Sequence, residues 1–187
     1  MRLLRPLVPS LAVLLLAATG AGAQGVLVER SEIRFIARQM GAAVEGRFRR
    51  WKANVDFRPQ DLAHSRADLE IDLASIDFAS EEAEAEVRRP GWFDTARFPQ
   101  ATFRSSALRD LGGDRYEIAG RLTLKGATRD MVIPMQLRRD AAGLTVAEGQ
   151  FTLRRLDFGV GAGPWSDPAV VADEVLVRVR MVLPRAG

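Results

Sequence analysis

The residue types that most often carry enzyme chemistry are scarce in this sequence of 187 residues. It contains no cysteine and a single histidine, His64, which precedes Ser65 in the segment D-L-A-H-S-R. A serine nucleophile needs a base in a defined geometry and a partner that orients the base, and adjacency in a turn does not supply this. The same composition excludes Cys-based and His/Cys metal sites. We therefore expect no catalytic residue and no bound metal, with His64 exposed in a turn; a hydrolase that uses His64 is an alternative function.

Acidic side chains could form a second kind of chemical site. Asp68, Glu70 and Asp72 share one face of a segment in which they alternate with Leu69 and Ile71. Because successive side chains of a strand point to opposite faces, this alternation favours a solvated outer face for the three carboxylates. A hydrolase built on such surface carboxylates remains the other form of the alternative function.

Apolar residues at every second position offer a binding site more readily than a catalytic one. A period of two is typical of strands with one apolar and one polar face. If these faces enclose a common interior, the candidate lining residues are Phe35, Phe48, Leu69, Ile71, Phe103, Ile118, Leu122, Ile133, Met135, Phe151 and Val177. Gly120 and Gly149 share the inward phase and should leave room for a ligand. The alternative is an interior filled completely by side chains.

Residues 92–105 read W-F-D-T-A-R-F-P-Q-A-T-F-R-S and concentrate large aromatic side chains around Asp94 and Pro99. Pro99 cannot donate a ladder hydrogen bond, so it belongs at the entrance of a strand. We expect a group of aromatics at one end of a β structure, followed by a strand. These aromatics either pack a corner of the core or close one end of a ligand cavity, and the two roles are compatible.

The N-terminal residues resemble a secretory signal peptide rather than part of the fold. Arg2 and Arg5 provide a positive start, residues 7–18 are almost all apolar, and residues 21–23 form an A-x-A cleavage signal. The apolar run is too short for a spanning helix. We expect residues 1–23 to be removed on export to the periplasm.

Residues 24–187 are then a single domain without a transmembrane segment. Removal of Arg2 and Arg5 would reduce the formal charge from +3 to +1. A nearly balanced chain without a basic run is not expected to bind nucleic acid.

Secondary structure signals indicate about eight strands and one short helix. The alternation slips by one residue at Arg49 and Arg50, which predicts a bulge or bend between two strand halves. Ser80 can cap a helix over residues 81–89, and Pro90 with the following glycine would end it. Mostly short connections favour antiparallel neighbours, in either a sandwich or a closed barrel. Long strands with a single helix favour an all-β antiparallel barrel of eight strands, which can hold one small ligand.

Five motifs in order resemble the YceI-like lipid/polyisoprenoid-binding family, over Ser31 to Pro184. They are S-E-I-R-F-I-A-R-Q-M with the following G-R-F at Gly46, D-L-A-S-I-D at Asp72, the segment at Trp92, G-R-L-T-L-K-G-A-T-R at Gly120 and L-R-R-L-D-F-G-V-G at Leu153. The resemblance implies a lipocalin-like barrel that carries a long isoprenoid or similar amphiphile without catalysis, in the periplasm. It also implies no cofactor other than such a lipid.

One segment departs from the family. Many relatives carry R-D-x-x-L in the helix before the W-F-D motif, whereas residues 81–89 read E-E-A-E-A-E-V-R-R here. This variant resembles members found beside membrane cytochromes and respiratory quinones. A quinone-binding accessory of a membrane cytochrome is therefore an alternative function, and a homodimer is a further expectation.

A lipid head group, if anionic, needs donors at the cavity mouth. Arg129, Arg154 and Arg155 are the candidates, because a guanidinium matches phosphate geometry. The alternative is that Arg154 or Arg155 pairs with Asp157 and braces the glycine-rich loop that follows.

Overall fold

The computed structural model describes residues 24–78 and 80–184, so the expected signal peptide lies outside the described residues. The helix α1 is Glu81–Val87, and no helix in the described ranges is long and apolar enough to cross a membrane. The strands are β1 Gln24–Gly25, β2 Glu32–Gln39, β3 Ala42–Phe48, β4 Trp51–Asp56, β5 Arg66–Asp72, β6 Ile76–Asp77, β7 Gln100–Gly112, β8 Arg115–Leu124, β9 Ala127–Arg139, β10 Thr145–Arg154 and β11 Glu174–Leu183.

All strands belong to one antiparallel sheet with the order β1-β4-β5-β7-β8-β9-β10-β11-β2-β3-β6. Strands β3 and β4 lie near opposite ends of this order, yet only Arg49 and Arg50 separate them in the chain. The first half of this long bent strand pairs with β2 and β6, and the second half with β1 and β5. The bend therefore joins the two ends of the sheet and curls it into a barrel.

The predicted bend at Arg49 and Arg50 is confirmed, and it explains the difference in strand count. Within the described residues, eleven strands replace the predicted eight, and two of the eleven, β1 and β6, contain only two residues. When β3 and β4 are taken as one bent strand, eight long strands remain. The all-β barrel predicted from the alternation is confirmed.

The barrel has two distinct ends. At the helix end lie α1, the aromatic segment before β7, the β8–β9 turn at Lys125 and the loop of residues 155–173 between β10 and β11. At the turn end lie the β7–β8 turn, the β9–β10 turn at residues 140–144 and the β4–β5 loop at residues 57–65. The long connections are thus concentrated at the helix end.

The helix begins directly after Ser80, the residue that was predicted to cap it. The Ser80 side chain accepts a hydrogen bond from the Ala83 amide, and α1 ends at Val87 before Pro90. Val87 is the buried residue of the helix and packs with Phe35 and Ile76. This short polar helix packs on the barrel through the apolar region around Val87.

Candidate functional site

The inward faces of the strands do not meet at the barrel axis. They enclose an apolar cavity of about 550 Å³, within the range of roughly 300–1,000 Å³ that small-molecule sites occupy. All eleven predicted lining residues lie along its wall: Phe35, Phe48, Leu69, Ile71, Phe103, Ile118, Leu122, Ile133, Met135, Phe151 and Val177. That these side chains contact a lipid stays a prediction.

Glycines on the inner face have a different role from the one expected. The predicted free space above Gly120 and Gly149 is wrong, because neighbouring side chains occupy it. A Cβ atom on Gly120 would lie 2.5 Å from the Phe103 ring, and one on Gly149 would lie 2.3 Å from the Met135 sulfur. Gly46 likewise lies beneath the ring of Phe35. The glycines let large side chains lie flat against the wall, which keeps the centre of the barrel open.

The aromatic segment closes the helix end, and the two proposed roles of its side chains are both observed. Trp92 and Phe93 line the cavity and also pack against the buried cluster around Phe158. Pro99 immediately precedes β7, as predicted, and its carbonyl accepts a hydrogen bond from the Leu73 amide.

Arg155 holds the loop of residues 155–173 at this end. It is 3% exposed, and its guanidinium lies 5.7 Å from the Trp92 ring centre. Its five N–H groups donate to the main-chain carbonyls of Val160, Gly161, Trp165, Val171 and Ala172, at 2.6–3.0 Å. Burial lowers the pKa of Arg155, and the nearby Asp173 carboxylate offsets part of this effect.

These contacts correct the head-group role predicted for Arg155. Its donors are all taken by the loop, so a phosphate could bind only by displacing them. The alternative role, in which Arg155 braces the glycine-rich loop, is the correct one. Arg155 does this through main-chain carbonyls and not through Asp157. Arg154 is exposed and pairs with Asp173 at 3.0 Å.

The head-group role of Arg154 stays a prediction, and Arg129 is the third candidate. Its guanidinium lies 5.9 Å from the centre of the Phe158 ring and donates to the Thr128 carbonyl. Arg129 is opposite Leu122 in the β8–β9 register and so shares the inward phase. It does not contact the cavity described above, and its role toward a head group stays a prediction.

A second cation ties three segments together at the helix end. The Lys125 ammonium donates to the carbonyls of Pro90 and Gly159, at 2.8 and 2.7 Å. Burial lowers the pKa of Lys125. The contact joins the β8–β9 turn to the chain after α1 and to the 155–173 loop.

The polar rim of the cavity is formed by residues that the sequence prediction did not include. Glu82 and Glu86 of α1 line the cavity from one side, with Arg38 and Gln39 of β2 nearby in the wall. Glu82 and Glu86 are four residues apart and so share one face of the helix. The unusual acidic composition of residues 81–89 was the signal that could have identified them.

The turn end is closed by apolar packing. The rings of Phe57 and Tyr116 meet edge to face, with centroids 5.3 Å apart. Leu62 and Leu137 pack against the same buried cluster. Burial raises the pKa of Tyr116.

Of the alternative catalytic residues, Asp68 is among those that line the cavity, whereas His64, Glu70 and Asp72 are not. His64 is exposed and bonds to the Asp61 carboxylate at 2.8 Å, whereas the Ser65 hydroxyl bonds to backbone groups of its own loop. Asp68 and Glu70 pair with Arg104, as expected for an outer face, and Asp72 pairs with Arg50. Within the described ranges, no group of three or more His, Asp or Glu residues is arranged to hold a metal ion.

Comparison of the sequence with known proteins gives weak but extended similarity to several bacterial relatives. A UPF0312 protein of Pseudomonas savastanoi is 30% identical over 129 residues, which cover 66% of this chain and 67% of that protein. A UPF0312 protein of Photorhabdus laumondii is 27% identical over 132 residues, covering 66% and 68%. A Vibrio cholerae relative is 29% identical over 104 residues, and the chain spans about half of its length, 55%.

Comparison of the structure gives two informative matches. The crystal structure of Burkholderia cenocepacia BcnA matches with a TM-score of 0.80 and 34% identity, over 84% of this chain and 98% of that chain. A polyisoprenoid binding domain from Saccharophagus degradans, implicated in plant cell wall breakdown, matches with a TM-score of 0.70 over 88% and 99% of the two chains. At 17% identity this second likeness concerns the fold. The model of the YceI-like domain matches residues 26–183, which include almost all of the barrel, and the protein belongs to the YceI-like domain family.

Proposed function

We propose that this protein is a periplasmic carrier that holds a polyisoprenoid or a similar long-chain amphiphile in its barrel, without catalysis. The observation that supports it most strongly is the apolar cavity of about 550 Å³, with charged groups at its helix-side rim. The S. degradans domain with the same fold is described as polyisoprenoid-binding. An oily tail with a small polar head has the complementary distribution of polarity.

The driving force for binding is the removal of the tail from water. Each CH₂ group buried in such a site contributes about 0.8 kcal/mol. Part of this is offset by ordering the flexible tail and by lost translational freedom. Met131 and Met135 in the wall can adjust their thioethers to an irregular chain.

The direct test is to identify what the protein carries. The full-length protein is expressed with its N-terminal segment, purified from the periplasm without detergent and extracted with organic solvent for mass spectrometry. A polyprenol or a related isoprenoid is the expected product. An isoprenoid quinone would favour the quinone-accessory alternative, and failure to export the protein would overturn the periplasmic location.

A pair of adjacent substitutions tests the cavity. Leu122 lines it, whereas Thr123 faces outward and bonds to Thr128. Leu122→Asp places a carboxylate in an apolar site and should weaken binding of geranylgeraniol at least about tenfold, because an unpaired buried charge is costly. Thr123→Asp should bind as the wild type does, as measured by quenching of tryptophan fluorescence.

Circular dichroism separates lost binding from lost folding in these variants. Leu122→Ala, which introduces no charge, provides a second test if Leu122→Asp does not fold. Unchanged affinity in a folded Leu122 variant would contradict the assignment of the cavity as the binding site.

A further inference from the structure

The ladder between β9 and β10 is much shorter than the strands that form it. Strands β9 and β10 pair through five register positions, from Thr145 opposite Arg139 to Gly149 opposite Met135. Beyond this point, residues 127–134 of β9 and 150–154 of β10 continue toward the helix end. In the described part of the chain, no backbone hydrogen bond joins these two stretches. We refer to the space between them as the seam.

The strands on either side of the seam are held firmly on their other edges. The β8–β9 ladder contains ten register pairs, and the β10–β11 ladder also contains ten. A chain passing through either ladder would have to break its hydrogen bonds, each of which contributes about 1 kcal/mol to stability. Separation at the seam breaks only side-chain contacts.

The seam leads directly to the apolar cavity. Met131 and Ile133 on its β9 side line the cavity, as do Phe151 and Leu153 on its β10 side. Val132 on the outer face is 55% exposed, so the apolar surface continues from the cavity wall to the solvent side of β9.

The point where the two strands diverge is built from adaptable groups. Pro134 lacks an N–H and cannot donate to β10. Met135 extends its thioether over Gly149 at this point, and a methionine can change rotamer at little cost. The lower end of the seam is therefore the last pair of the ladder, where the flexible thioether of Met135 lies over Gly149.

Both ends of the barrel are tied more strongly than the seam. At the helix end, Arg155 and Lys125 link the loops through seven hydrogen bonds to carbonyls. At the turn end, Phe57 and Tyr116 pack in the cluster that closes the barrel.

We propose that the lipid tail enters and leaves the cavity sideways, through the seam between β9 and β10. The inference rests on the proposed carrier function and adds the route to it. The tail slips between Met131 and Ile133 on one side and Phe151 and Leu153 on the other. The barrel ends keep their contacts throughout.

The absence of cysteines allows the route to be blocked chemically. Continuation of the register from Gly149 and Met135 places Thr152 opposite Val132, and both face outward. The variant Thr152→Cys/Val132→Cys is tethered across the seam with a short, reducible bismaleimide. The matched control, Thr152→Cys/Leu176→Cys, tethers the same β10 residue across the intact β10–β11 ladder.

The measurement is the rate of geranylgeraniol uptake and release, followed by stopped-flow tryptophan fluorescence. We expect the seam tether to slow both rates at least about tenfold, as for a blocked gate, and reduction of the tether to restore them. The control tether should change the rates less than about twofold. The equilibrium affinity should stay unchanged, because blocking a route slows binding and release equally.

Two results would overturn the route. One is uptake by the seam-tethered protein at the rate of the untethered protein. The other is faster release with little change in uptake, which lowers the affinity and would mean that the tether disturbs the site and does not block a route. If the untethered protein takes up no isoprenoid in any form, the carrier function itself fails and the route fails with it.

Discussion

The two ends of the barrel are closed by different physical means. The helix end depends on cations that gather main-chain carbonyls, with Arg155 and Lys125 as the central groups. The turn end depends on apolar packing around Phe57 and Tyr116, between short turns. Hydrogen bonds to one buried cation depend on direction and are lost together when that cation is removed. An apolar cluster instead loses stability in proportion to the volume removed. The helix end should therefore be the less tolerant of substitution.

The largest expected effect on stability comes from removing the buried guanidinium of Arg155. Arg155→Met leaves five loop carbonyls without their donor, and we expect a loss of about 3–5 kcal/mol in the free energy of unfolding. Arg155→Lys should recover little, because an ammonium cannot match the planar set of five donors. Urea unfolding gives the values.

Arg154→Met is the matched control for Arg155→Met, since it removes a neighbouring but exposed arginine that forms one ion pair. It should cost less than about 1 kcal/mol. Equal losses for the two arginines would mean that the loop is not held by Arg155.

At the turn end the effect should be graded. Phe57→Ala is expected to cost about 2–3 kcal/mol and Phe57→Leu about 1 kcal/mol, because the second change keeps most of the buried volume. The same urea series measures both. If Phe57→Leu lowered the free energy of unfolding as much as Phe57→Ala does, the contrast between the two ends would be wrong.

Between the two ends, alanine substitutions at two glycines of the cavity wall should lower the stability by different amounts. Gly120→Ala places a Cβ 2.4 Å from the Arg104 carbonyl and 2.5 Å from the Phe103 ring, so backbone must move. We expect a loss of about 2–3 kcal/mol. Gly149→Ala should cost about 1 kcal/mol less, since the flexible Met135 can move aside and the Pro134 carbonyl, 2.9 Å from the new Cβ, needs to shift less than the Arg104 carbonyl does. The reverse order in thermal unfolding would contradict this account of the wall.

The smallest effect tests the main polar contact of the turn end. Hydrogen bonds from the Leu144 amide, the Arg30 side chain and the Ala142 amide lower the pKa of the Asp140 carboxyl. A carboxyl with a lowered folded-state pKa contributes stability above its unfolded pKa of about 3.9, and this is lost as the pH falls through the folded value. The melting temperature of Asp140→Ala should be slightly below that of the wild type at pH 7, and the gap should close below about pH 4. A gap that persists at low pH would show that the carboxylate charge is not involved.

The local pattern of the sequence was enough to predict the strands, their inward faces and the helix cap. All eleven residues that the alternation placed on the inner face, from Phe35 to Val177, line the cavity, because a period of two decides the face before any partner is known. The phase slip at Arg49 even located the bend that closes the sheet. These features depend on residues close together in the chain.

The features that escaped prediction depend on long-range geometry. Arginine is a residue type that often binds phosphate. Only the loop that folds back over Arg155 shows that its donors are already used. Gly149 suggested empty space, but its partner Met135 comes from another strand. The place of Glu82 and Glu86 at the rim depends on where the helix packs on the barrel, which its local sequence does not specify.

The incomplete ladder between β9 and β10 has a consequence for the behaviour of the protein in concentrated solution. Unsatisfied strand edges invite pairing with other molecules, and natural sheets discourage this with proline and charge. Here Pro134 and the charged residues Asp130 and Arg154 occupy the two edges. The route proposed for the lipid tail is thereby protected against edge-to-edge pairing of strands and fibre formation.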